Sequence, residues 1–110
     1  MILAKAQHGP RIINNFSASA RGWVREFVSN MPEREKGYLL FGGENGHPTN
    51  DKQIIEAAFI DFMNELQVPE PTLSCKIMFT KQWVNVLETM RSEYLKSLIA
   101  QAMNTIKAAA

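Results

Sequence analysis

Few residues of this chain have the chemistry to bind a metal, activate a nucleophile or grip a phosphate, and they are scattered. His8 and His47 lie far apart, each beside Gly or Pro in a predicted loop. A metal site would need further ligands converging from elsewhere, so both read as exposed loop histidines. The single cysteine, Cys75, rules out an intrachain disulfide and a Cys-rich zinc site, and a reducing cytosol suits it best. With no adjacent His or basic helix end to stabilise a thiolate, Cys75 reads as a small core hydrophobe at an inward strand position. Gly42-Gly43-Glu44-Asn45-Gly46 has the look of a phosphate-cradling loop but lacks the Gly-Lys-Ser/Thr ending. Its central acid would repel phosphate, so it is expected to be a connecting turn. No catalytic residue, cofactor or metal is expected.

Arg21 and Arg25 fall one helical turn apart on a polar face and, with Arg11 and Lys36, form the one set of cations able to grip phosphates together. The net charge is only +1, distributed as +3 over residues 1–36, −5 over 37–72 and +3 over 73–110. Nucleic-acid binders usually carry a stronger basic excess, because phosphate neutralisation supplies most of their affinity. Glu26 and the acidic middle weaken this reading further, and nucleic acid ranks second as a partner.

The segment Pro32-Glu33-Arg34-Glu35-Lys36-Gly37-Tyr38-Leu39-Leu40-Phe41-Gly42, preceded by an amphipathic helix, resembles the Pro-Glu-x-x-Gly-x-Leu-x-Gly start of JAMM-type zinc isopeptidases. In that family the acid after the helix is the general base. Here Glu33 and Glu35 are out of register with the glycine, and the chain has no His-x-His pair with its downstream Asp. The resemblance therefore implies at most a degenerate, metal-less relative, and hydrolysis by that route is excluded.

The elements that would position these residues follow from apolar spacing. Phe16, Ala20, Trp23, Val24, Phe27, Val28 and Met31 recur at helical intervals, predicting a helix over 18–30, capped by Ser17 and ended by Pro32. Residues 32–37 are expected as a solvated turn. Tyr38–Phe41, four apolar residues between glycines, predicts a short buried strand. Thr49 or Asn50 caps a second helix with Asp51 in its first turn and Ile54, Ile55, Ala58, Phe59, Phe62, Met63 and Leu66 on its apolar face. After the rigid break Val68-Pro69-Glu70-Pro71, the alternation of Leu73, Cys75, Ile77 and Phe79 predicts a half-buried strand. Thr80 then caps a long helix from Lys81 to Lys107, striped by Trp83, Leu87, Met90, Tyr94, Leu98, Ala102 and Ile106. The aromatics Trp23, Phe27, Phe59, Phe62 and Trp83 lie on apolar faces and are expected in the core rather than as stacking platforms.

The resulting expectation is one α+β domain: three amphipathic helices packed on a small antiparallel sheet, with a long C-terminal helix. That helix would measure ~40 Å against a domain diameter of ~34 Å, and so overhang its own core by about a turn. The stripe on the overhang, Leu95, Ile99, Ala102, Met103 and Ile106, needs a partner. The N-terminus lacks a signal-peptide apolar region and no apolar run reaches the ~18 residues of a membrane span. With no convergent polar site, the function expected is a small cytoplasmic regulator or adaptor that docks on another protein and forms a homodimer.

Overall fold

The chain breaks where Pro32 and Pro69-Glu70-Pro71 demand it, but the apolar segments between those breaks all wind into helix. The computed structural model describes the backbone of residues 2–43 and 46–109 and the side chains of residues 15–43 and 46–108. Among the described residues there are four helices, α1 (Ile2–Ser29), α2 (Glu33–Phe41), α3 (Lys52–Glu65) and α4 (Leu73–Ala109), and no strand. The expected α+β class is therefore corrected to all-α, because both predicted strands are helical.

The reasons are local. Leu73–Phe79 opens α4, where Thr72 Oγ1 accepts the Cys75 backbone N–H at 3.2 Å and so supplies an orphan donor of the first turn with its partner. A strand would put Leu73, Cys75, Ile77 and Phe79 on one face. The helix instead buries Phe79, half-buries Cys75 and Met78, and leaves Leu73 and Ile77 exposed. Thr80 lies inside α4 and donates its hydroxyl to the Lys76 carbonyl at 2.8 Å, the back-bond of a mid-helix threonine rather than a cap. Tyr38–Phe41 is the end of α2, which begins in the expected turn. Glu33 and Glu35 sit at its N-terminal end, where the helix dipole favours acids, and Glu33 pairs with Lys36 at 3.2 Å.

The helix predicted over 18–30 starts at Ile2 and passes through Ser17, so Ser17 is not its cap. Continuing the helix lets Phe16 join Ala20, Val24 and Val28 on one fully inward row. In α3, the cap is Asp51, whose side chain accepts the Gln53 N–H at 2.8 Å. Thr49 is instead buried against the end of α2, its N–H donating to the Leu39 carbonyl at 2.8 Å and its hydroxyl to the Tyr38 carbonyl at 3.1 Å. Gly43 belongs to the same junction, where a Cβ would fall 2.1 Å from the His47 carbonyl oxygen. At the other end of α3, Val68 N–H reaches the Met63 carbonyl and Gln67 N–H the Asn64 carbonyl, a Schellman closure with Gln67 at φ 58°.

α1 and α4 run in the same direction, since Trp23 meets Phe79 at 6.0 Å between ring centroids and Phe27 meets Trp83 at 6.2 Å. Phe59 and Phe62 of α3 close the aromatic cluster against Phe79. Trp83 is fully buried at its centre, and its indole N–H has no acceptor among the described residues. Phe59, Phe62 and Trp83 are thus buried in the core as their spacing predicts, while Trp23 and Phe27 are half-buried against it. The last buried residue on α4 is Leu87, after which Met90 and Arg91 are half-buried and residues 92–108 are all exposed. Those 17 residues extend α4 by ~25 Å. The overhang is several turns, not one, and the principal extents are 68 × 25 × 22 Å.

Candidate interaction surface

α4 places Tyr94, Leu95, Leu98, Ile99, Ala102, Met103 and Ile106 within about half its circumference, given 3.6 residues per turn. Every one is exposed, Ile99 to 60% and Ile106 to 68%. Glu93, Lys96, Asn104 and Lys107 occupy the other side. From Tyr94 to Ile106 a half-cylinder ~20 Å long and ~11 Å across presents roughly 340 Å² of mainly apolar surface, within the range a monomer commonly leaves bare. All five residues expected at an oligomer interface, Leu95, Ile99, Ala102, Met103 and Ile106, lie on this face.

At its root the face meets α2. Phe41 and Tyr94 approach to 5.2 Å between ring centroids, and the Arg91 guanidinium covers the Phe41 ring at 5.5 Å. Between the two helices opens a groove of about 580 Å³ lined by Lys36, Leu40, Phe41, Tyr94, Leu95 and Leu98. Sequence reasoning could not place this groove while Tyr38–Phe41 stood as a strand. The signal available was the pair of acids directly after Pro32, which marks a helix start.

Of the described cations, Arg21 and Arg25 share one recess and Lys36 lies apart from them. Arg21 and Arg25 line a shallow recess of α1 with Asn85, Val86 and Thr89 of α4, whereas Lys36 lies on α2 at the groove. Arg21 donates to Gln82 Oε1 at 3.3 Å, Arg25 pairs with Glu93, and Lys36 pairs with Glu33. The side chains of Arg11 and His8 lie outside the described residues, as do Glu44 and Asn45 of the glycine-rich loop. On another side of α1 an open hollow of about 520 Å³ has Trp23, Phe27 and Met31 on its walls and Glu26, Glu35 and Glu65 as its only charged groups. That part of the molecule repels phosphate.

Among the described residues, no group of three His, Cys, Asp or Glu side chains could hold a metal ion, and His47 is exposed in its loop. Cys75 is half-buried and its sulfur accepts the Thr72 hydroxyl at 3.3 Å. No described helix is long and apolar enough to cross a membrane. The segment resembling the isopeptidase start forms α2. No protein-family model, curated protein or solved structure matches the chain.

Proposed function

We propose that this protein is a non-enzymatic interaction module, a small cytoplasmic regulator or adaptor that acts by docking on other proteins and associates as a homodimer through the C-terminal half of α4. The observation that supports this reading is the continuous apolar face from Tyr94 to Ile106, exposed along its whole length on a helix that continues past its own core. Self-association is the simplest way to cover it, because most soluble oligomers pair identical patches about a two-fold axis.

Sedimentation equilibrium tests the reading directly. The unmodified protein is expected to be dimeric at tens of micromolar, and Ile99→Glu, which forces a carboxylate into the seam, is expected to give a monomer with unchanged helical circular dichroism. A monomeric unmodified protein at that concentration overturns the proposal.

A second reading, a nucleic-acid-binding regulator, rests on Arg21 and Arg25 lining one recess. It ranks lower because both are already paired within the chain. Under it, the double change Arg21→Ala with Arg25→Ala weakens oligonucleotide binding across all sequences and lowers the salt slope by about one unit per lost phosphate contact. Negligible binding of a mixed-sequence oligonucleotide at physiological salt removes it.

A further inference from the structure

We infer that the two copies pair antiparallel, with the tip of each α4 seated in the groove between α2 and α4 of the other, so that each groove is completed by the partner's Met103 and Ile106. This inference rests on the homodimer proposed above and specifies its geometry.

Three observations carry it. The first is area: two helix faces alone bury roughly 700 Å² together, short of the ~1,000 Å² a specific interface needs. The walls supplied by Leu40, Phe41 and the stem of Lys36 lie next to the root of the face and are the apolar surface nearest to hand to add to it. The second is level. The face runs from Tyr94 to Ile106, so full overlap of two antiparallel copies centres on Ala100 and brings Ile106 of one chain to Tyr94 of the other, where the groove opens. In-register parallel pairing instead sets Ile106 against Ile106 and keeps the Met103 and Ile106 of each chain beyond both grooves.

The third is charge. Parallel pairing aligns Arg91 with Arg91 at the root of the seam. Antiparallel pairing separates the two Arg91 side chains, which lie at the root of the apolar face beside Phe41.

Gly37 allows a clean test, because it lines the groove and a Cβ built on it meets nothing within 4 Å. Gly37→Phe should plug the groove from within α2 and weaken dimerisation at least tenfold, while Gly37→Ala, which adds helix propensity without bulk, should leave it unchanged. Cross-linking then reads the direction. On a Cys75→Ser background, Ile106→Cys chains should form disulfide-linked dimers when mixed with Tyr94→Cys chains and not with themselves. If Gly37→Phe dimerises normally, or Ile106→Cys chains link to each other, the antiparallel groove-seated geometry is overturned while the homodimer stands. A monomeric unmodified protein overturns both.

Discussion

Both halves of α4 carry large apolar side chains at helical spacing, and they differ in what lies against them. From Phe79 to Leu87 the helix is covered by α1 and α3, and Phe79, Trp83, Val86 and Leu87 are buried. From Ser92 to Ala108 all residues are exposed, with α2 alongside only the first turns of that stretch. Apolar periodicity therefore specifies a face to be covered and leaves open whether the cover comes from the same chain. The distinction has energetic consequences, since the first half supplies most of the burial that α4 contributes to the isolated monomer.

The largest contrast is in stability. Trp83→Ala empties a fully buried site and should cost about 3–5 kcal/mol in urea unfolding. Trp83→Phe should cost clearly less, because it keeps most of the volume and removes an N–H that lacks an acceptor among the described residues. Ile99→Ala, at a site 60% exposed, should cost under about 0.5 kcal/mol when measured in dilute protein. Comparable losses at Trp83 and Ile99 under those conditions would erase the distinction between the halves.

Hydrogen exchange sharpens it. Beyond Leu98 every described residue of α4 is exposed, and a helical end of that length is marginally stable on its own. Amides beyond Leu98 should therefore exchange near the free-peptide rate at about 1 µM and slow at least tenfold at about 100 µM as the dimer forms. Those around Trp83 should show the protection of global unfolding at both concentrations. Concentration-independent protection of the distal half would mean that the overhang is ordered without a partner.

The same contrast explains which features were legible in the sequence. The row Phe16, Ala20, Val24, Val28 and the apolar face of α3 follow directly from helical spacing, and the length of the Trp83–Ile106 stripe gave the overhang. Leu73–Phe79 misled because seven residues are too few to separate a period of two from one of 3.6, and Thr72 was missed as the cap. Tyr38–Phe41 reads as a strand because Gly37 looks like a boundary, although a helix can run through a glycine at a cost of ~1 kcal/mol. That one misreading hid the groove, since α2 supplies one of its walls. Partner coverage was invisible for a different reason: spacing within one chain carries no information about a second.

A smaller effect probes the joint that aims the packed half. Gln67 occupies the left-handed position of the Schellman closure between α3 and α4, at φ 58°, where a side chain costs roughly 1–2 kcal/mol relative to glycine. Gln67→Gly should raise the unfolding free energy by about 1 kcal/mol, the unfolded chain's added freedom offsetting part of the relief. Thermal melts at fixed concentration check this, and a destabilised variant would show that Gln67 makes a compensating interaction. Dimerisation should not change, because the closure is remote from the distal face.

The smallest effect locates the boundary between the halves. Arg25 and Glu93 join α1 to α4 beyond Leu87, the last buried residue of α4, with both side chains about half exposed at 50% and 52%. Solvent screens such a pair, so the coupling energy from a double-mutant cycle of Arg25→Ala and Glu93→Ala should lie between about 0.2 and 1 kcal/mol. Glu93 projects from the side of α4 away from the apolar face, so neither substitution should alter the dimer constant by sedimentation. Amides of the turn following Glu93 should exchange faster in Arg25→Ala, because the last side-chain tether to α1 is gone, while those near Trp83 should not change. A coupling well above 1 kcal/mol would move the boundary outward: α1 would then hold α4 in place past its last buried residue, and the overhang available to a second copy would be shorter by a turn.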